Sequence, residues 1–270
     1  VKTDRLDVRK LLSMLLRYWA GEKKVWSVVH VPSAEQEDGR HLQREIRTLK
    51  KEQTRQINRI RGLLANQGVA VNANRRGLLE SLDSIRIWDG SPLPAGLRLR
   101  LETEAARHGF VHRQLLELEC ERNARIRQSR DRAAEVARRL MTLRGIAQVG
   151  AETYGREFSW RGFKNRRQVG SLVGLVPTPY QSGDSSREGG ISRAGNRHLR
   201  GIAVDLAWLW LRQQPDSELT LWYNRRFAKG SPRLRKIGIV AVARKLLVAL
   251  WRFADFGEIP KGALLKSNAA

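Results

Sequence analysis

The sequence predicts a mainly α-helical protein, and three observations carry that expectation. Apolar residues recur at three- and four-residue spacing over long stretches, the register of helices with one buried face. A single short stretch, Val25–Pro32, reads as a strand instead. Hydrophobic residues make up 41% of 270 positions and eight are tryptophans, enough for a packed core and against global disorder.

Along the chain, Asp4–Tyr18 is predicted as a helix with Leu11, Leu12, Leu15 and Leu16 on one side. "VWSVVHVP" follows, with β-branched residues and an aromatic closed by Pro32. From Gly39 the residues Leu42, Ile46, Leu49, Gln53, Gln56, Ile60 and Leu63 step by four and three, the seam of a coiled coil or long hairpin. Its flanks carry eight basic residues against two acidic ones between Arg40 and Arg61. "DGSPLPAG", Asp89–Gly96, is the clearest break. A second long helix then runs to about Leu143, and Ile126, Ala133 and Leu140, seven apart, suit antiparallel packing on the first. Shorter, glycine-punctuated elements follow. "LRGIAQVG" resembles the turn of a helix-hairpin-helix, although an ordinary connection between helices has the same look. "FKNRRQVGSLVGLVP" gives a helix ending before Pro177, and an apolar helix spans about Asn196–Gln213. The expected division is 1–38, 39–140, 141–258 and a tail, 259–270.

The charge balance points to a polyanion. There are 51 Lys and Arg against 27 Asp and Glu, a net +24 with pI near 11.3. Such an excess repels itself unless a partner neutralises it, which makes nucleic acid the leading partner. An anionic membrane surface is the rival reading, but the tryptophans are scattered through apolar periodic segments rather than gathered on one basic amphipathic helix, so a membrane partner is not expected. Ile202–Leu211 is too short to span and holds Asp205, and Arg244 and Lys245 interrupt Ile237–Ala254. Both read as core helices. Cys120 stands alone, so one chain has neither a disulfide framework nor a zinc–thiolate site, which fits a reducing cytoplasm.

Several familiar sites are excluded. Gly190 and Gly195 have P-loop spacing, but Asn196 stands where the lysine is needed. His108 and His112 lack an accompanying carboxylate or cysteine in metal-ligand spacing. Two features remain. Asp4 and Asp7 share one face of a helix start, where paired carboxylates suit Mg2+ and where acids equally serve as dipole-favoured caps. The segment "YQSGDSSREGGISRAGNRHLR", Tyr180–Arg200, gathers four glycines and four serines among arginines. Glycines allow backbone to turn tightly around a ligand, and Arg187, Arg193, Arg197 and Arg200 suit phosphates. A flexible basic loop without chemistry has the same composition. The stretch from Arg225 to Lys245, with eight basic residues and no acidic one, adds Arg233, Arg235 and Lys236 as candidate contacts to a phosphate backbone.

"KTDRLD", then "LQREIRTLKKEQTRQINRIRGLLANQG", then "GLVPTPYQSGDSSREGGISRAGNRHLR" occur in this order. Together they resemble the DEDD-type insertion-sequence transposases, the bridge-RNA-guided recombinases of the IS-one-ten group, over nearly the whole chain. The resemblance implies a RuvC-like (RNase H-like) α/β nuclease domain, a coiled-coil insertion and an all-helical C-terminal transposase domain. It matches Asp4 and Asp7 to the last two acids of a Mg2+-binding quartet. It matches Ser182 to the nucleophile of the family's Ser-Gly step, with Gln181 where a serine is frequent and with Ser185 and Ser186 ranked below. Asn196 enters with the arginines as a nucleic-acid contact. The first two acids of the quartet lie upstream of Lys2 in the family, so residues 1–38 are expected to be a C-terminal remnant of the nuclease domain. Further implied are DNA and a structured guide RNA as partners, a homo-oligomer built through the coiled coil, and a cytoplasmic, nucleoid-associated location. The expected function is DNA transposition through Mg2+-assisted serine attack. The alternative is a truncated remnant that binds DNA or RNA without catalysis. A basic scaffold for acidic partners would leave the glycine-serine segment unexplained.

Overall fold

A computed structural model describes residues 3–26, 30–70, 82–182 and 185–266, the side chains of 179–182 and 185–188 excepted. Helices dominate it, as expected. Two units separate, Val1–Ala34 and Glu35–Ala270.

In the first unit, α1 spans Asp4–Trp19. Thr3 sits at the N-cap, and its carbonyl accepts from the amides of Leu6 and Asp7. None of the α1 residues is buried within this unit; Leu11, Leu12, Leu15 and Leu16 form an exposed apolar face. The strand expected at Val25–Pro32 is not formed at its described residues: Val25 and Trp26 form a bend and His30–Pro32 are irregular, while Ser27–Val29 lie outside the described residues. β-branched residues favour a strand only where a neighbouring strand completes the ladder, and here Trp26 folds back instead, its ring 4.6 Å from that of Tyr18.

In the second unit, α2 (Ala34–Ala65) and α3 (Ala95–Gln128) form an antiparallel hairpin. Leu42, Ile46 and Leu49 pack with Val111 and Leu115 at one end, and Ile60 and Leu64 with Leu101 at the other. Between these clusters Gln53 Nε2 meets His112 Nδ1 at 3.2 Å. Lys50–Glu119 (2.6 Å) and Arg59–Glu104 (3.1 Å) pair across the hairpin. The seam read from the sequence is therefore filled within the chain.

The second long helix does not run to Leu143. It stops at Gln128, and α4 (Arg132–Met141) starts afresh with Asp131 as N-cap, its Oδ1 accepting from the Ala134 amide at 2.7 Å. Ile126 and Leu140 accordingly join the C-terminal core rather than α2. The break is stitched by Arg138, which donates to the carbonyls of Ile126 and Ser129.

The core comprises α4, α5 (Gln148–Phe158), α6 (Arg166–Leu172), α7 (Arg197–Gln213), α8 (Glu218–Tyr223) and α9 (Pro232–Phe256), with a π-helical turn at Asn224–Ala228. Fully buried Trp210 donates through Nε1 to Ser217 Oγ at 2.9 Å. Gln214, fully buried, donates to the carbonyls of Arg144 and Leu264 and accepts from the Leu264 amide, so residues 262–266 lie against the α4–α5 turn. The two apolar runs are core helices, and among the described residues no helix is long and apolar enough to cross a membrane.

The expectation of an all-helical C-terminal domain is corrected as well. β1 (Pro177–Ser182) and β2 (Ser185–Ile191) form an antiparallel hairpin where a loop was expected. Two prolines and two glycines lower the local β propensity, and pairing between the segments overrides it.

Candidate active site

The serine segment stands on this hairpin. Tyr180 faces Arg187 in register, Gln181 faces Ser186, and Ser182 faces Ser185. Ser182 is thus the last paired residue of β1, at the tip. Gly183 and Asp184, and the side chains of Ser182, Ser185, Ser186 and Arg187, lie outside the described residues.

The root of the hairpin is tied to the end of α6. The amides of Ser192, Arg193 and Asn196 donate to the carbonyls of Val176 (2.8 Å), Gly174 (3.1 Å) and Leu172 (2.8 Å). This contact is backbone against backbone and needs glycine on both sides. Gly174 has φ +65°, and a Cβ there would stand 2.9 Å from the Gly195 nitrogen. A Cβ on Gly195 would meet the Gly174 nitrogen at 2.5 Å and come closer still to the Leu172 carbonyl oxygen. The glycines of "GLVP" and "AGN" therefore fix the angle at which the strands leave the core.

The polar residues of this root divide into structural and available ones. Asn196 is the N-cap of α7, its Oδ1 accepting from the amides of His198 and Leu199. Arg200 is half-buried and donates to the carbonyls of Val173 (3.1 Å) and Arg193 (3.3 Å). Arg193, at φ 54°, and Arg197 are exposed. His198 lies behind them; burial first, then Arg47, pushes its pKa down, with Lys51 acting likewise and Glu157 opposing. Arg47 and Lys51 belong to α2, so the basic flank of the long hairpin faces the start of α7.

Arg233, Arg235 and Lys236 are exposed in the first residues of α9, behind the Ser231 cap. Cations at the positive end of a helix dipole are unfavourable in isolation and suit a bound anion.

Asp4 and Asp7 occupy the first turn of α1 in the other unit, exposed, and among the described residues neither is ion-paired. Their oxygens are of the kind Mg2+ takes. They are two, however, and among the described residues no group of three or more His, Cys, Asp or Glu gathers to hold a metal. These residues do not make a complete Mg2+ site by themselves.

Sequence reasoning missed a second set of residues. Glu152 and Glu157 are buried on α5, paired with Arg156 and Arg40 at 3.0 Å each. It also took Arg225–Lys245 as one basic run, whereas the fold brings Arg225 and Lys245 together with Trp222, Arg252 and Lys261 around one cleft. Arg252 follows Lys245 by two turns on α9, whereas Lys261 joins them only through the path of the chain beyond α9.

Comparison with known proteins gives the chain its relatives. The Transposase IS116/IS110/IS902 family matches residues 137–221, the stretch from the end of α4 into α8 that includes the serine hairpin. The transposase candidate y4rJ of Sinorhizobium fredii (strain NBRC 101917 / NGR234) is 40% identical over 98% of this chain and 69% of its own length. A family 20 transposase candidate of Pseudomonas aeruginosa is 28% identical, over 80% of this chain and 62% of its own. The transposase for insertion sequence element IS1328 of Yersinia enterocolitica is 25% identical, over 78% and 61%. The chain thus spans between 61% and 69% of the length of these three relatives. A 40%-identical relative matched along nearly the whole chain, with the family's own stretch centred on the glycine-rooted hairpin, shows that the chain belongs to the IS116/IS110/IS902 transposase family.

Proposed function

We propose that this chain is the greater part of a DNA transposase of an insertion sequence, and that Ser182 is its nucleophile. The observation that supports this reading most is the position of Ser182 at the tip of a hairpin whose root is fixed by Gly174 and Gly195. A nucleophile that must reach a DNA backbone gains from such presentation, because ordering is settled before the encounter. In the proposed step Ser182 Oγ bonds to a DNA phosphorus as one P–O bond to deoxyribose breaks, and the serine proton passes to the leaving oxygen. One phosphodiester replaces another, so no nucleoside triphosphate is consumed. Arg187, Arg193 and Arg197 neutralise charge around the scissile phosphate, and Arg233, Arg235 and Lys236 hold the DNA backbone alongside. Asn196 and Arg200 position the root rather than touch DNA first.

Asp4 and Asp7 are the carboxylates this chain offers to Mg2+ in a RuvC-like domain, too few to hold the ion alone. A structured guide RNA fits the basic flank of the α2–α3 hairpin, which the resemblance makes a coiled-coil insertion. Because α3 fills the α2 seam, oligomerisation falls to the hairpin's outer faces. A second reading, binding of DNA or RNA without catalysis, is favoured by the basic flank of α2 and the exposed cations at the start of α9.

Trapping decides between them. Incubation with terminal insertion-sequence DNA and Mg2+, followed by denaturing electrophoresis and mass spectrometry, is expected to give a nucleotide adduct on Ser182 that Ser182→Ala abolishes. An adduct that persists in the alanine variant overturns the assignment. Salt-sensitive binding with no adduct leaves the binding reading.

A further inference from the structure

A cleft of about 500 Å³ opens on the second unit, lined by no residue of the serine hairpin. It is walled by α8, the π-helical turn, the middle of α9 and the segment after it. Its lining holds Trp222, Arg225, Lys245, Arg252, Glu258 and Lys261. Trp222 is half-buried, with Phe227 edge-on at 5.3 Å on the core side, and the Lys245 ammonium lies 4.7 Å from its ring centroid. Four cations line the cleft against two acids, Glu218 and Glu258. Only a long contact of 3.8 Å joins Arg252 to Glu258, and among the described residues Arg225 and Lys261 have no ion pair.

The walls are tied to one another. Gly257 turns the chain in the left-handed region after α9, and the Glu218 amide donates to the Lys261 carbonyl at 3.0 Å, closing the segment onto α8. The floor is the buried Trp210–Ser217 bond.

We infer that this cleft binds one unpaired nucleotide of a single-stranded nucleic acid, with the base against Trp222 and the flanking phosphates on Arg225, Lys245 and Lys261. An aromatic ring held in a concavity and ringed by cations is the chemistry that takes a base and its phosphates together. A duplex offers a surface mainly phosphates while its bases remain stacked, so it makes no use of the ring. The lining is also too charged for an apolar ligand, and its net positive charge disfavours a cationic one. The inference rests on the nucleic-acid reading above but not on catalysis, since none of these residues belongs to the serine hairpin.

The test measures binding of the full chain to a short fluorescein-labelled oligo(dT), a matched oligo(U) and a duplex, by anisotropy at roughly 50 mM salt. Trp222→Ala is expected to weaken single-strand binding by roughly 5- to 100-fold, the range of one stacked base. Because Trp222 also packs on the core, the exposed double variant R225E/K261E is measured beside it and is expected to lose at least about tenfold without loss of helicity. Preference for oligo(dT) or oligo(U) identifies the strand as DNA or RNA, and either supports the inference. Both variants binding within about twofold of the parent overturns it, as does a duplex that binds as tightly and with the same dependence on Trp222. Ser182→Ala is run in parallel. Intact single-strand binding there, with no adduct from the parent, sinks the catalytic reading and leaves this one standing.

Discussion

Gly195→Ala is the sharpest probe of how the serine hairpin is held. The added Cβ would lie 2.5 Å from the Gly174 nitrogen and 2.7 Å from the Val173 carbonyl carbon, and closer still to the Leu172 carbonyl oxygen. Ordinary contact begins at 3.4 Å, and all three neighbours are backbone, so no side chain can swing aside. Overpacking of this kind costs about 1–3 kcal/mol, and three backbone clashes at once belong near the upper end. At about 3 kcal/mol, a domain of this size should lose roughly 6–12 °C of melting temperature. The amide bonds from Arg193 and Asn196 to the α6 end should loosen with it, lowering adduct formation at Ser182. Gly201 is the internal control. It lies exposed in α7 with nothing within 4 Å of its Cβ position, so Gly201→Ala should raise stability by up to about 1 kcal/mol through helix propensity. Thermal unfolding by circular dichroism reads both. If Gly195→Ala melts at or above the parent, the close-approach argument is wrong. If both variants fall together, generic intolerance of alanine is the better explanation.

Three other outcomes are expected. Arg40→Met leaves the Glu157 carboxylate, whose side chain is 8% exposed, without its ion pair and should cost about 3–5 kcal/mol; the double variant R40M/E157Q should regain most of this in chemical denaturation. His198 is held below its ordinary pKa by burial and Arg47, and His108 by burial and His112. A depressed histidine contributes stability that is present above its unfolded pKa of about 6.5 and lost as pH falls through the folded value. Melting temperature should therefore drop between about pH 7 and 5, and His198→Gln with His108→Gln should flatten that slope. Finally, if about 6–10 phosphates are contacted, affinity for DNA should fall ~10³–10⁵-fold between roughly 50 and 200 mM salt, and Arg233→Ala with Lys236→Ala should reduce the logarithmic slope by about two.

The long helices were legible because their signals are local. The step of four and three from Leu42 to Leu63 marks a face that packs on α3, and Asn196 caps α7 where the sequence placed its start. What escaped was non-local. The composition of Pro177–Ile191 is dominated by Gly, Pro, Ser and Asp, none of which favours strands, and the Gly174–Gly195 contact that brings the two arms together is non-local. The stop at Gln128 turned on one aspartate, Asp131, preferring a cap to a helix interior. At Val25–Pro32 the residues looked right for a strand, and no partner strand exists among the described residues of that unit. The candidate residues divide the same way. Asp4, Asp7 and Ser182 are candidates from motif alone, whereas the cleft around Trp222 depends on the turn at Gly257 carrying Lys261 back across α8.

The Gln214 amide has a consequence for how this chain survives damage. Its three hydrogen bonds join the α4–α5 turn, the end of α7 and the segment at Leu264, and Lys266 Nζ adds a bond to the Ile146 carbonyl 120 residues earlier. In a chain with a single cysteine this clasp does by burial what a disulfide does by covalency: it closes the core from Arg144 to Lys266 into a loop. A protease cut in an exposed connection inside that loop, such as the stretch before Pro232, should leave two fragments that stay together and melt together. Removal of the few residues after Gly262 would open the clasp and let the same nick take the core apart.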